Sequence, residues 1–360
     1  MDESIEQVDK ILQGNSLEVL KMLPDQSINC CVTSPPYWGL RDYGVDGQLG
    51  LEPTPEEFVA NMVRVFREVR RVLKDDGTLW LNLGDSYWAN RSQNGLPWKD
   101  SDKHKNHMIR AGGKSHEYLK PKDLVGIPWR VALALQADGW YLRSDIIWSK
   151  PNPMPESVGD RPTKAHEYIF LLSKSERYFY DAEIIKEKMA QSSLERLSQN
   201  IENQEGSYRA NAGGKTNGNM KAVGGSKGAF GPLQSRKRNG NKERKHGGDR
   251  GRPESNPGSS IPREGSTRNK RSVWTVATAK TTGAHFAVFP PKLIEPCILA
   301  GCPQGGIVLD PFTGSGTTPV VARNLGRKYL GIELNPDYIK IAEDRIKRET
   351  AQMNIFEFGT

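Results

Sequence analysis

Val308-Leu309-Asp310-Pro311-Phe312-Thr313-Gly314-Ser315-Gly316-Thr317-Thr318 reads as an apolar strand that runs into a glycine-rich turn and then into a helix. Glycines there let the backbone approach a ligand closely, with a helix N-terminus beneath it. A phosphate-binding P-loop would require Gly-Lys-[Ser/Thr] at this point. Thr317 stands where the lysine would be, which argues against nucleoside triphosphate hydrolysis. Taken alone, the stretch is also compatible with any tight strand–helix turn. About twenty residues on, Gly331-Ile332-Glu333 ends the next apolar run, a spacing known from nucleoside sites. An acid at that strand tip can accept from vicinal ribose hydroxyls, or it can cap the helix that opens near Pro336. Together, Gly314, Gly316 and Glu333 point to a nucleoside ligand.

Outward from this turn, short apolar runs alternate with helical patterns. Strands are expected at Lys10–Leu12, Ile28–Val32, Gly77–Leu83, Arg143–Trp148, Glu167–Leu172, Gly306–Asp310 and Tyr329–Leu334. Between them lie helical spacings at Leu17–Met22, Leu124–Ala137, Gly316–Leu325 and Pro336–Arg348. The stretch Pro55–Leu73, apolar at Phe58, Met62, Val65, Phe66, Val69 and Leu73, is an amphipathic helix. Thr54 is its N-cap, Pro55 its first residue and Glu57 the capping-box partner. Such alternation predicts an α/β fold, a mostly parallel seven-stranded sheet with helices on both faces.

Two stretches interrupt the pattern. Asn90–Lys120 is polar and too long for an ordinary connector. Its histidines, His104, His107 and His116, have no Cys or carboxylate cluster beside them, so a basic loop is preferred over a metal site. Gln191–Arg271, rich in Gly, Asn, Ser, Lys and Arg, has too little apolar content for a core of its own. Residues 211–272 hold fifteen Lys or Arg against four Asp or Glu, more than the whole excess of +8. That concentration suits a polyanion binder, or a solvated loop with no partner. The expected organisation is therefore a catalytic half (1–185), a basic insertion (186–272) that is partly disordered, and a cofactor half of the same domain (273–360).

Composition narrows the classes further. No run of apolar residues is long enough for a membrane span, and Met1-Asp2-Glu3-Ser4 does not read as a signal peptide. The four cysteines, Cys30, Cys31, Cys297 and Cys302, form no C-x-x-C pair, which suggests a reducing cytoplasm and no metal cluster.

Thr33-Ser34-Pro35-Pro36-Tyr37 closes the second expected strand. Consecutive prolines neither continue a ladder nor enter a helix interior, so the loop is stiff and its carbonyls are free. A serine hydroxyl beside those carbonyls makes a cluster of acceptors, and Tyr37 offers a flat face for a ring. This combination suits an amino group on a planar heterocycle. Acceptors aimed at its N–H bonds expose the nitrogen lone pair and stabilise the positive charge that develops as a methyl group arrives. A rigid proline turn without chemistry would look the same if it stood alone.

Ser34-Pro35-Pro36-Tyr37 upstream, with Asp310-Pro311-Phe312 and the glycine turn far downstream and Gly331-Ile332-Glu333 after it, resembles the amino-directed DNA methyltransferases of the permuted β group, as found in restriction–modification systems. Further likeness lies in Ile147–Asn152, His166–Phe170, His285–Pro290 and Gly326–Tyr329; together the matches span roughly 10–180 and 273–349. The resemblance implies a Rossmann-like methyltransferase fold in circularly permuted order, with S-adenosyl-L-methionine as cofactor. Thr33, Asp310, Phe312, Gly314, Ser315, Gly316, Thr317 and Glu333 would hold that cofactor, with Phe286 and Phe289 flanking its methionine end. Asn15, which stands where the family usually has Asp, would join them. Ser34, Pro35 through its carbonyl, Pro36 and Tyr37 would grip a flipped base.

A serine at the first motif position, preceded by Thr33, is more typical of N4-cytosine enzymes, whereas Asp or Asn is more typical of N6-adenine enzymes. The dipeptide Pro296-Cys297 could suggest C5-cytosine chemistry, but it falls within an apolar helical stretch, Leu293–Leu299. The expected mechanism is base flipping followed by direct methyl transfer on double-stranded DNA. DNA contacts are expected from Arg41, Lys103, Lys105, Arg236, Lys237, Arg238, Arg244 and Lys245, and a partner restriction endonuclease is conceivable. The chain would work in the cytoplasm of a prokaryote or be phage-encoded. An RNA amino-methyltransferase and an inactive DNA-binding module are the rival readings.

Overall fold

In the computed structural model the residues described are 8–89, 112, 115–198, 267–278 and 289–357. The chain divides into two compact units, residues 1–185 with 270–360, and residues 186–269.

The larger unit is built on an eight-stranded sheet. In chain order its strands are β1 (Lys10–Gln13), β2 (Ile28–Thr33), β3 (Leu73–Leu83), β4 (Tyr141–Ser149) and β5 (His166–Ser173). After the short β6 (Glu187–Lys188) and β7 (Thr267–Arg268) come β8 (Val273–Thr275), β9 (Ile307–Asp310) and β10 (Lys328–Glu333). Across the sheet the order is β1-β10-β9-β2-β3-β5-β4-β8. Only β5 is reversed, antiparallel to both β3 and β4; the other pairings are parallel. Strands from opposite ends of the chain therefore meet at the centre, where Cys30 and Cys31 of β2 pair with Val308 and Leu309 of β9.

The sheet is buried on both faces, which explains the unbroken apolar run Cys30-Cys31-Val32 in β2. Ile28 and Cys31 point into one cluster with Phe58, Met62, Phe66 and Val69 of α2 (Pro55–Val72). Cys30 and Val32 point into the other, with Leu293, Ile294 and Ile298 of α5 (Pro291–Gly301). On the α2 side lie also α1 (Ser16–Lys21) and α3 (Ile127–Ala137). On the α5 side are α6 (Thr317–Asn324) and, through Ile346, α7 (Pro336–Glu357). Between α3 and α5 in the chain, α4 (Gln191–Ser198) belongs to the smaller unit, where β6 and β7 pair antiparallel and Arg268 meets Glu187 at 3.0 Å.

Caps set several boundaries. Thr54 Oγ1 accepts from Glu57 N at 3.2 Å and Pro55 opens α2, as its sequence predicts. The helix expected from Leu124 begins only at Ile127, because Gly126 adopts a left-handed φ of 79°. A glycine has no side chain to cap with, and Asp85 does it instead: its Oδ1 accepts from Gly126 N at 2.9 Å and Ile127 N at 3.0 Å. The sequence predicts seven strands in the sheet, and among the described residues eight join it. The extra one, β8, is a three-residue edge strand, too short to show alternation. It is fixed by pairing with β4 and by Trp274, which sits 6.5 Å from the Trp80 ring. The helix α7 runs beyond the expected Arg348 to Glu357, no Gly or Pro following to stop it. Among the described residues no helix is long and apolar enough to cross a membrane.

Candidate active site

In an open α/β sheet, ligands bind beyond the carboxyl ends of the strands, where the connections diverge. Here that point lies between β9 and β2. From β9 the chain goes by α6 to β10 on one side, and from β2 by α2 to β3 on the other. The two motifs that the sequence separates by most of its length thus leave adjacent strand ends.

Asp310 ties them together. Its Oδ1 accepts from Thr33 Oγ1 at 2.6 Å and from Phe312 N at 3.1 Å, while Oδ2 accepts from Thr318 Oγ1 at 2.7 Å. The residue is 2% exposed, and burial raises its carboxyl to about 6 against the three hydrogen bonds that favour the anion. The carboxylate is thus taken up in joining the two halves of the domain, and Asp310 and Thr33 are absent from the lining of the cleft beside them.

The glycine turn follows. Gly316 has φ 81° and lies so close to α7 that a Cβ would come within 2.9 Å of Ala342 Cβ. Thr317 Oγ1 accepts from Arg345 Nη1 at 2.9 Å, so Gly316 and Thr317 serve the packing of α6 on α7. Gly314, Ser315 and Phe312 line the cleft. Glu333, at the tip of β10, accepts from Gly314 N through Oε2 and from Asn335 N through Oε1, both at 2.8 Å. Burial raises its carboxyl above the usual range. Each oxygen keeps a lone pair for a further donor.

The cleft holds about 890 Å³ of space, part of it open to solvent. Its walls combine Asn15, Ser16, Ser34 and Pro36 with Phe312, Gly314, Ser315, Glu333 and Tyr338. A carboxylate beside aromatic and apolar walls suits a nucleoside. Five wall residues that the sequence did not single out, Tyr43, Val45, Gly47, Gln48 and Leu49, come from the loop after the proline motif. Tyr43 meets Tyr338 edge-on at 6.3 Å. Asn15 caps α1, its Oδ1 accepting from Leu17 N at 3.0 Å, and its Nδ2 donates to Gly47 O of that loop at 3.4 Å.

Beside the cleft, the proline loop carries a chain of polar contacts. Ser34 Oγ donates to Tyr37 Oη at 3.3 Å, and Tyr37 Oη lies 2.7 Å from Glu167 Oε2 and 3.1 Å from Asn82 Oδ1. Glu167 is ion-paired to Lys150, whose ammonium also lies 4.3 Å from the Trp148 ring centroid. The Tyr37 ring rests on Gly84, where a Cβ would come within 2.5 Å of Tyr37 Cε2. Burial, then the Glu167 charge, push its phenol well above the usual range. Gly39 and Leu40, just after the loop, border a second cleft with Asp85, Tyr87, Lys122, Glu156 and Arg161. Arg161 stacks over Tyr87 at 3.9 Å and pairs with Glu156 at 2.7 Å.

Other expected residues fall elsewhere. Phe289 is buried in the α5 cluster with Leu293 and Ile294 and is absent from the cleft walls. Phe286, Lys103, Lys105, Arg236, Lys237, Arg238, Arg244 and Lys245 lie outside the described residues. Arg41 is half-buried on the loop after the proline motif, its carbonyl accepting from Gln48 Nε2 at 3.2 Å. His116 is wedged 5.0 Å from Trp88 and 4.6 Å from Tyr118 and hydrogen-bonds Glu56 at 3.1 Å, a structural role. No cluster of potential metal ligands occurs among the described residues. Cys297 is buried inside α5, where burial raises its thiol, the opposite of the exposed, lowered thiol that a nucleophile requires.

Comparison with known proteins agrees with this geometry. Residues 28–344 match the profile of a family described as DNA methylase. The chain is 43% identical to the Type II methyltransferase M.Cfr9I of Citrobacter freundii, over 94% of this chain and 88% of that protein. To the Type II methyltransferase M.SmaI of Serratia marcescens it is 42% identical, over 94% and 91%. Among solved structures, the PvuII DNA methyltransferase (cytosine-N4-specific) shares the fold, with a TM-score of 0.53, 18% identity and coverage of 97% and 94%. So does a Thermus thermophilus protein, assigned to DNA modification methylases and solved with S-adenosyl-L-methionine, with a TM-score of 0.51, 22% identity and coverage of 94% and 93%.

Proposed function

The chain belongs to the DNA methylase family, with S-adenosyl-L-methionine as cofactor, and from that premise we propose that it methylates the N4 amino group of cytosine at one duplex sequence. The observation that carries this reading is that Ser34 and Glu333 line one cleft, although they lie on opposite halves of the chain. In this reading Glu333 accepts from the ribose hydroxyls, Phe312 and Tyr338 flank the flat base of the nucleoside, and the Ser34 hydroxyl receives the incoming amino group. The serine at the first motif position supports cytosine over adenine.

When bound, the cofactor supplies an electrophilic methyl carbon. The chain's own residues do the rest. Ser34 Oγ and the Pro35 carbonyl accept the two N–H bonds of the target amine, which turns its lone pair toward that carbon and stabilises the charge that develops. Neither acceptor can reach an amino group stacked inside a duplex, so the nucleotide must be rotated out. The ring of Tyr37, backed by Gly84, offers it a stacking face. The basic insertion at 186–272, together with the Asn90–Lys120 stretch, would neutralise phosphates and make binding salt-dependent.

The test is to methylate genomic DNA with the purified chain and to sequence it by a method that separates N4-methylcytosine from N6-methyladenine. N4-methylcytosine at a single recognition sequence is expected. N6-methyladenine as the sole product would replace cytosine by adenine, and methylation of RNA alone would overturn the DNA substrate.

A further inference from the structure

A hydroxyl can accept from an amino group only if its own proton points elsewhere. Ser34 meets that condition: its hydroxyl donates to Tyr37 Oη at 3.3 Å. The phenol has one proton of its own and two candidate acceptors, Asn82 Oδ1 at 3.1 Å and Glu167 Oε2 at 2.7 Å. The shorter bond to the charged oxygen takes it. Asn82 has a different task, since its Nδ2 donates to Tyr168 O at 3.0 Å and also faces Glu167 Oε2 at 3.3 Å. On its other oxygen Glu167 carries the ammonium of Lys150, and the Glu167 side chain is 15% exposed. The polar chain therefore runs in one direction, from Ser34 through Tyr37 to a carboxylate held in place by a lysine.

We propose that Glu167 is the terminal acceptor of this chain: it keeps Ser34 as an acceptor toward the substrate amine, and it takes up the proton that the amine loses. The inference rests on the amino-methyltransferase reading of the site. As the nitrogen lone pair forms the new N–C bond, the methyl–sulfur bond breaks with its electron pair left on sulfur. The nitrogen, now positive, gives one proton to Ser34 Oγ. The proton of Ser34 passes to Tyr37 Oη, and the phenolic proton passes to Glu167. The product amine is neutral, the loop has regained its starting protons, and Glu167 releases its proton through its exposed edge. Lys150, ion-paired to the other carboxylate oxygen, keeps the side chain from swinging away from Tyr37. Neither Glu167 nor Lys150 lines the cofactor cleft, so their effect is confined to the transfer step.

The experiment uses the full chain in single-turnover methylation of a duplex carrying its recognition sequence. Cofactor affinity is read by calorimetry, and flipping by the fluorescence of 2-aminopurine at the target position. Glu167→Gln is expected to slow transfer by roughly 10²-fold, the lower end of what a proton acceptor contributes, with cofactor affinity and flipping unchanged. Tyr37→Phe should lose a similar amount. The double variant should be no slower than the slower single one, because both changes cut one chain. A wild-type rate in Glu167→Gln, multiplied losses in the double variant, or loss of cofactor binding would each overturn the proposal. Should Glu167→Gln fail to fold, as judged by circular dichroism, Tyr37→Phe decides alone: it keeps the ring on Gly84, and a wild-type rate overturns the chain. Ser34→Ala separates the two levels of inference. If it methylates normally, the amino-methyltransferase reading itself falls; if it is inactive while Glu167→Gln is fast, only the proton chain falls.

Discussion

The strand ends of β9 and β2 are neighbours, yet they solve opposite problems. Beyond β9 most polar groups are spent internally: Asp310 holds Thr33, Thr318 and the amide of Phe312, and Glu333 holds the amide of Gly314. That end is a rigid cradle, shaped before any ligand arrives. Beyond β2 the prolines leave carbonyls unspent, and the side chains form a directional chain whose first member, Ser34, has acceptor capacity left over. In the proposed reading one end holds the cofactor and the other reacts. Damage to the two should therefore appear in different measurements.

The sharpest break comes from Ser34→Ala. Removing one preorganised electrostatic partner costs about 10²–10³ in turnover, and the cradle beyond β9 does not depend on that hydroxyl. We expect single-turnover methylation to fall by that order while the calorimetric affinity for S-adenosyl-L-methionine stays within about twofold. Matching losses in both would mean that the two ends are not separable.

Much of this division is legible in the sequence, and the missing parts share a cause. The glycine turn and the Ser-Pro-Pro-Tyr loop announce themselves because each needs backbone freedom or stiffness that only Gly or Pro supplies. Their adjacency follows from the alternation of strands and helices once the permuted order is recognised. What is not legible is the direction of side chains. Asp310 reads as a cofactor ligand by position, but the geometry turns its carboxylate toward Thr33, into the protein. Phe289 similarly turns into the α5 cluster. Tyr43 and Gln48 line the cleft from a loop with no periodicity to mark it, and Glu167 sits in an apolar strand where an acid gives no hint of its partners. Local pattern fixes elements, but long-range packing decides which way a polar atom faces.

The junction itself can be probed through Asp310. Its carboxyl is raised from 3.8 to about 6 by burial. A raised acid contributes stability that is fully present below its unfolded value and is lost as pH rises through the folded one. The native state of the wild type thus loses stability between about pH 4 and pH 6 from this group, by up to about 3 kcal/mol in all. Asp310→Asn has no such group. Whatever its offset, the stability of the variant relative to wild type should improve from pH 4.5 to pH 7.5, read from urea midpoints at both. Parallel pH profiles for the two proteins would show that Asp310 ionises normally in the fold.

Glu333→Gln tests the cradle alone. The amide can accept through only one of its atoms, so either Gly314 N or Asn335 N loses its acceptor, and the charge available to ribose hydroxyls disappears. Hydrogen bonds to charged groups are worth about 1.5–3 kcal/mol, so cofactor affinity should fall at least tenfold while transfer from the saturated complex changes little. Gly84→Ala tests the other end by volume. A methyl group within 2.5 Å of Tyr37 Cε2 must push the ring or the strand, at about 1–3 kcal/mol of stability. Its transfer rate should fall while cofactor affinity holds. An unchanged rate would mean that the position of the ring is not critical.

The smallest effect belongs to Asn15, where the family usually has Asp. Asn15→Asp keeps the cap, because a carboxylate oxygen accepts from Leu17 N as well as the amide does, and the added charge at the N-terminus of α1 is favourable by a few tenths of a kcal/mol. It loses the donor to Gly47 O, which is exposed and long at 3.4 Å and so is worth less than an ordinary hydrogen bond. The carboxylate would instead face that carbonyl with like partial charge and loosen the loop that carries Tyr43 over the cleft. These terms oppose one another and are each small, so cofactor affinity should move by less than about threefold. A tenfold loss would show that the Asn15–Gly47 contact latches the loop. A tenfold gain would show that the residue at this position touches the cofactor directly, as the resemblance implies, and that the loop contact was the lesser part of its role.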